Sequence, residues 1–419
     1  MTLAARAALV GAALAVLAPA ASAAPPPSIG AKSAIVVDAA TGEQLYGRAP
    51  DSERAIASTT KLMTALLTLE RTKPTDVFTA PAYGGAAAES RINLRRGERM
   101  TVGDLTRALL LASANDAAAT LAEGIAGSRS AFVDEMNARA RQIGLTETNY
   151  ANPIGLDDPD NYSSASDLAA LARRLLTNKR FARIVDMPSA TLKSGARERT
   201  ILNRNQLVRR YPFVDGVKTG HTIKAGFVLV GAGKRDGAQV ISAVLGEPSE
   251  AARDSDSLAL LNWGLAQFRR LTPVKAGAEL ASAKIRWRGS DTVPLTSPRT
   301  GTVTVRRGGA VTTRIEAPGR VDGPLRAGSR VGSVKLIYRG RVVRTLPLVT
   351  AKAVPEAGFA RKVASTLGGP LLAIALLALV GAVAGLSLRH SRTGSQEGRG
   401  SNDHHRHAQR RDRQDAGRS

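Results

Sequence analysis

The sequence predicts one α/β domain with a helical insert, then a small all-β domain, then a single C-terminal transmembrane helix. Three observations point there. Between residues 28 and 270 apolar positions recur with a strand period, then a helical one, then a strand period again. From 271 to 352 only the strand period is present. Residues 367–388 carry no charge at all.

Residues 1–23 hold one basic residue, Arg6, an apolar run, and a closing Ala21-Ser22-Ala23. That is the anatomy of a secretory signal peptide, with an apolar stretch too short to span a bilayer comfortably. The rest of the chain is therefore expected to be exported. Residues 34–37 and 44–46 flank Ala40-Thr41-Gly42, which signals a hairpin. Helical periods follow over 59–70, 102–111, 117–125, 130–143 and 166–176. Strand-like runs return at 226–231 and 239–244, and 255–268 reads as a closing helix.

In 271–352, Val303 and Val305 alternate with Thr, and Val331, Val334, Leu336 and Tyr338 sit among polar residues. Several short strands over this length predict a small sandwich- or barrel-like domain. It contains no His and only four acids, so it is not expected to be catalytic. Residues 353–366 read as a linker. Residues 367–388 would form a helix of about 33 Å, enough to cross a hydrocarbon core. Pro370 falls in its first turn, where a missing N–H matters least. The polar, Arg- and His-rich residues 389–419 read as a disordered tail. Export of the bulk places this tail in the cytoplasm, with the protein a single-pass protein of the cell membrane.

A net charge of +24 invites a nucleic-acid partner. Its distribution argues otherwise. Residues 24–270 hold 32 basic and 26 acidic side chains, whereas 271–352 hold 16 and four. The excess is concentrated in a segment expected outside the cytoplasm, where anionic lipid headgroups or acidic wall polymers are the available partners. A general arginine enrichment is the alternative account. No nucleic acid is expected.

Cysteine is absent, which excludes thiol catalysis, Cys-ligated metal, disulfides and a lipoprotein anchor. His221 is the only histidine before residue 390. A separate Ser-His-Asp triad thus has one candidate histidine, and a three-His metal site outside the membrane is excluded. Asp157-Asp158-Pro159-Asp160 lacks calcium-loop spacing.

Ser58 stands at a predicted helix start with Lys61 one turn on, so the two share a face. The helix is apolar on most sides, and burial lowers a lysine pKa toward base activity. A lone match of this kind also describes a Ser N-cap followed by an exposed Lys. Two further elements are present. Ser113-Ala114-Asn115 lies 55 residues after Ser58, and Lys218-Thr219-Gly220 lies 105 residues later.

This ordered set resembles the serine penicillin-recognising enzymes, within them the D-alanyl-D-alanine carboxypeptidases or low-molecular-mass penicillin-binding proteins. The resemblance covers about 28–270. It extends to Ala34-Ile35-Val36-Val37-Asp38 with Thr41-Gly42, to Asn152-Pro153 with Gly155-Leu156, and to Asp215 through Thr222. It implies a β-lactamase/transpeptidase-like fold, an antiparallel sheet with a helical insert. It also implies a catalytic domain that removes the terminal D-alanine from peptidoglycan stem peptides, with β-lactams as covalent inhibitors and no cofactor or metal. Ser58 would then be the acylated nucleophile, Lys61 its base, and Ser113 a proton relay. Asn115 would position Lys61 and substrate. Lys218, with Thr219 and Gly220, would bind substrate and hold the Lys61 pKa down by repulsion. The backbone N–H groups of Ser58 and His221 would form an oxyanion hole. Arg253 matches a carboxylate-binding position, or else forms a surface ion pair with Asp254 or Asp256. A β-lactamase would need a Glu in 153–167, and none is there. A D,D-endopeptidase and a non-catalytic penicillin- or wall-binding protein are the remaining alternatives.

Overall fold

The computed structural model describes residues 9–10, 13–16, 25–359, 361–362 and 374–384. Strands Ser33–Asp38 (β1) and Gln44–Arg48 (β2) form the predicted hairpin. The chain then enters a helical insert built from Lys61–Arg71 (α1), Val102–Arg107 (α2), Asn115–Ala126 (α3), Arg129–Gln142 (α4), Ala165–Leu176 (α5) and Lys179–Val185 (α6). A small hairpin, Ser189–Leu192 (β3) with Arg199–Leu202 (β4), and the short helix Gln206–Arg210 (α7) lead out of it. Strands Val214–Thr222 (β5), Gly226–Arg235 (β6) and Ala238–Glu247 (β7) return to the sheet, and Glu250–Ala266 (α8) closes the unit.

The sheet is antiparallel throughout, in the order β5-β6-β7-β1-β2. Both of its faces are covered, which explains why its strands read as near-continuous apolar runs. Ile35, Val37, Val230 and Ile241 face the helical insert, whereas Ala34, Val36, Leu229 and Val240 pack on Leu260, Leu261 and Leu265 of α8. Helix α1 is buried from Lys61 to Thr68, so it sits inside the insert rather than on it. Side-chain caps set the starts of most other helices: Thr101 for α2, Ser128 for α4, Ser164 for α5, Asn178 for α6 and Ser249 for α8.

One predicted helix differs in the structure, and four short elements have no predicted counterpart. The helix expected over 102–111 is α2 followed by a π-turn, Ala108–Ala112, which ends at Ser113 in the left-handed region with φ +58°. Apolar periodicity persists through such a turn, so the pattern alone does not reveal it. Elements β3, β4, α6 and α7, of four to seven residues, are too short to show a period.

The second unit is all β. It comprises Phe268–Val274 (β8), Glu279–Ile285 (β9), Thr292–Thr296 (β10), Gly301–Arg306 (β11), Val311–Pro318 (β12), Arg330–Tyr338 (β13) and Arg341–Thr350 (β14). The larger sheet runs β12-β13-β14-β10-β9, while β8 pairs with β11. A separate core of Val293, Leu295, Val305, Val334, Leu336 and Leu348 fills it. The units meet at Glu43, which accepts hydrogen bonds from Arg306 and Arg339.

Within the predicted leader, Leu9–Val10 and Ala13–Val16 lie as short strands along β12, and its other positions fall outside the described residues. Among the described residues no helix is long and apolar enough to cross a membrane. Of the predicted span 367–388, residues 374–384 are helical and the others, like the tail 389–419, lie outside the described residues.

Candidate active site

Ser58 does not cap a helix. It lies in the 3-10 turn Ala57–Thr60 that runs directly into α1, and neither element has a side-chain cap. The preceding Ala57 is held at φ +47°, a region that costs an alanine about 1 kcal/mol or more, and that turns Ser58 toward the cleft. Lys61 opens α1 and is fully buried. Its Nζ donates to Ser58 Oγ at 2.9 Å and to the Ile154 carbonyl oxygen at 2.6 Å. Burial brings the Lys61 pKa down to about 7, against the opposing pull of Glu89 and Asp116.

The Ile154 carbonyl is placed by a tight loop. Asn152 Oδ1 accepts from the backbone N–H groups of Ile154, Gly155 and Leu156, and Thr64 Oγ1 donates to the Pro153 carbonyl. Gly155 sits at φ +92°, and a Cβ there would lie 2.0 Å from the Ala57 carbonyl oxygen. Only glycine allows this loop to close on the turn carrying Ser58.

The second motif faces the same point. The π-turn ends on Ser113, whose Oγ accepts a 2.9 Å hydrogen bond from Lys218 Nζ. Lys218 also donates to the Thr219 carbonyl and is almost fully buried. Burial first, then the positive charges of Lys61, Arg204 and Arg253, hold its pKa well below the ordinary lysine value. Burial is thus the largest cause of the lowered pKa at both lysines, and the repulsion between them adds to it. Strand β5 passes close behind Ser58: a Cβ on Gly220 would lie 2.8 Å from the Ser58 backbone nitrogen. His221 stacks on Phe227 at 4.0 Å between ring centroids.

Asn115 begins α3, and its amide nitrogen donates to Glu89 Oε2 at 2.6 Å rather than contacting Lys61. Glu89 also accepts from the Tyr83 hydroxyl and from the Ala86 N–H. Burial pushes the Glu89 carboxyl up, but those hydrogen bonds outweigh it and hold the group below the usual carboxylate range. Arg253 is not a surface residue. Its side chain is 4% exposed and paired with Glu250 and Asp254, with Asp256 uninvolved. Glu89 and Arg204 carry no motif signal, because they come from loops that only the tertiary fold brings to Lys61 and Lys218. No group of three or more His, Cys, Asp or Glu able to hold a metal occurs among the described residues.

The arrangement is thus a hydroxyl activated by a near-neutral amine, a second hydroxyl–amine pair beside it, and a cationic patch of Lys218, Arg204 and Arg253. A family model described as D-alanyl-D-alanine carboxypeptidase matches residues 20–249, and one described as penicillin-binding protein 5, C-terminal domain matches residues 268–356. The chain is 30% identical to D-alanyl-D-alanine carboxypeptidase DacF of Bacillus subtilis, covering 81% of this chain and 89% of that one. It is 32% identical to DacC of Escherichia coli, over 80% and 86%. The crystal structure of penicillin-binding protein 5 from Haemophilus influenzae matches with a TM-score of 0.56 at 30% identity, over 80% of this chain and all of that one. With these motifs assembled on this antiparallel sheet, the chain belongs to the D-alanyl-D-alanine carboxypeptidase family of serine peptidases.

Proposed function

We propose that the protein removes the terminal D-alanine from peptidoglycan stem peptides through an acyl-enzyme on Ser58. The observation that carries this reading is Lys61 Nζ, 2.9 Å from Ser58 Oγ with a pKa of about 7. Near neutral pH about half of Lys61 is the free amine, so it can take the Ser58 proton as Oγ attacks the carbonyl between the two D-alanines. The backbone N–H groups of Ser58 and His221 receive the oxyanion, with Gly220 allowing β5 to lie against the Ser58 backbone. Ser113, bonded to Lys218, passes a proton to the leaving amine. The terminal carboxylate is attracted by Lys218, Arg204 and Arg253, and its arrival restores the Lys218 charge that burial disfavours. Water then hydrolyses the ester with Lys61 as base. A β-lactam acylates the same serine.

Export and membrane attachment belong to the same reading. The leader anatomy of residues 1–23 supports export. The apolar helix 374–384 leaves Ile374, Leu377 and Val380 exposed to the extent of 60–71%, as a lipid-facing segment would. Residues 28–270 then form the catalytic domain and 271–352 a basic module beside an anionic surface. Fluorescent penicillin should label the membrane fraction of cells making wild-type protein, and Ser58→Ala should abolish both label and D-alanine release from a pentapeptide. Wild-type release rates from Ser58→Ala protein would end the assignment.

A further inference from the structure

The excess positive charge of the first unit is confined to one flank. Residues 91–99 and 193–210 hold ten basic side chains and two acids, and the remainder of 24–270 holds 22 and 24. The flank therefore stands at +8 while the rest of the unit stands at −2. A general arginine enrichment would spread over the whole surface, so it does not account for this distribution.

The fold brings the two segments together and turns their acids inward. Glu98 is buried, pairs with Arg199 at 2.8 Å and accepts from the backbone N–H groups of Arg95 and Ala196. Asp104, also buried, accepts from the N–H groups of Lys193 and Ser194. These carboxylates brace the two turns from within, and Glu198 is the only acid of the two segments left on the outer face. Arg95, Arg96, Arg197 and Arg209 are exposed, and none has an ion-pair partner among the described residues. The flank includes a groove of about 490 Å³, lined by Arg91, Arg199, Arg204 and Arg209 and reached past Ala112, the neighbour of Ser113.

Ten cations exceed what one peptide needs. A substrate carboxylate occupies one or two guanidinium groups, and the patch around Lys218 supplies those. A polymer that repeats a charge along its length matches an extended cationic surface, and guanidinium forks suit phosphate oxygens. A linear chain can lie in the groove, whereas a flat bilayer reaches only its rims.

We propose that this flank docks a linear polyol-phosphate polymer of the cell wall, which holds the cleft against the meshwork that carries its stem peptides. The wall as the source of the polymer rests on the export reading above, whereas the surface itself does not rest on Ser58.

The test measures binding of full-length protein to a soluble glycerol-phosphate oligomer. Wild type should bind it, with affinity falling about tenfold or more as salt rises from about 50 to 200 mM. Arg96→Glu with Arg209→Glu should weaken binding about tenfold or more, while D-alanine release from a pentapeptide stays within about twofold. Arg96→Gln with Arg209→Gln should fall between, which keeps the test decisive if charge reversal impairs folding. The same reversal elsewhere on the unit, Arg141→Glu with Lys179→Glu, should leave binding within about twofold. No binding by wild type, or equal losses from the two reversed pairs, overturns the proposal. Equal binding of polygalacturonate overturns the choice of phosphate, and charge-sensitive binding to phosphatidylglycerol vesicles alone would replace the polymer with a bilayer. Oligomer binding by a protein that cells retain inside would overturn the wall as the source and strike the export reading, with the docking surface intact.

Discussion

The Glu89 carboxylate accepts a 2.6 Å hydrogen bond from the Asn115 amide nitrogen, which ties the second motif to an acid outside every motif. Glu89 also raises the Lys61 pKa, against burial. Replacing it with Gln keeps an acceptor for Asn115 and removes the charge. Lys61 should then lose its proton more readily, so the acid limb of the kcat/KM profile moves below pH 7. The shift is expected to be on the order of half a pH unit or more. Penicillin acylation rates from pH 5 to 9 measure it. A uniform loss at every pH, with the limb unmoved, would mean that Glu89 only braces the loop.

Gly155→Ala tests the contact between the 152–156 loop and the Ser58 turn. The new Cβ would meet the Ala57 carbonyl oxygen at 2.0 Å, from a backbone at φ +92°. Backbone must move, and the Ile154 carbonyl that accepts from Lys61 moves with it. We expect a stability loss of about 2 kcal/mol or more and a larger proportional loss in acylation. Thermal unfolding and penicillin labelling, measured together, check both.

What was legible in the sequence follows from how local each feature is. Ser58 and Lys61 are one helical turn apart, so their pairing could be expected before any fold was known. The Ser113–Lys218 bond joins residues 105 positions apart and was accessible only through the resemblance of the ordered motifs. Glu89 and Arg204 gave no signal, since a polar loop residue acquires a role only when the fold brings it to Lys61 or Lys218. The lowered Lys61 pKa was legible too: a helix apolar on most sides implies burial, and the structure adds that Lys61 itself is fully buried. The alternating strands of the second unit were readable because one face of each meets a single core.

Glu43 lies in the β1–β2 turn and holds Arg306 and Arg339 of the all-β unit. All three side chains are one-third to one-half exposed, so solvent screening limits what the ion pairs contribute. Glu43→Ala should lower global stability by less than about 1 kcal/mol. Its visible effect should be on the join. Limited proteolysis between the units, near residues 267–268, should quicken several-fold while pentapeptide hydrolysis is unchanged. Unaltered proteolysis would show that side-chain-to-backbone contacts, such as that from the Thr304 hydroxyl to the Asp236 carbonyl, hold the units by themselves.

Glu247 provides the sharpest pH prediction. It is 1% exposed, and its carboxyl lies against that of Asp256, to which it can hydrogen-bond only when one of the two holds a proton. Burial, together with the neighbouring Asp256 carboxylate, raises its pKa from 4.5 to about 7. Two carboxylates can share that site only if one keeps a proton, so the folded protein binds a proton that the unfolded chain releases near pH 4.5. Stability from this group is therefore fully present below about pH 4.5 and is lost as pH rises through 7. The loss should approach about 2 kcal/mol once the folded group ionises. Glu247→Gln, neutral at every pH, should flatten that slope and unfold at higher temperature than wild type at pH 8. Parallel melting curves of the two proteins from pH 5 to 8 would contradict the assignment.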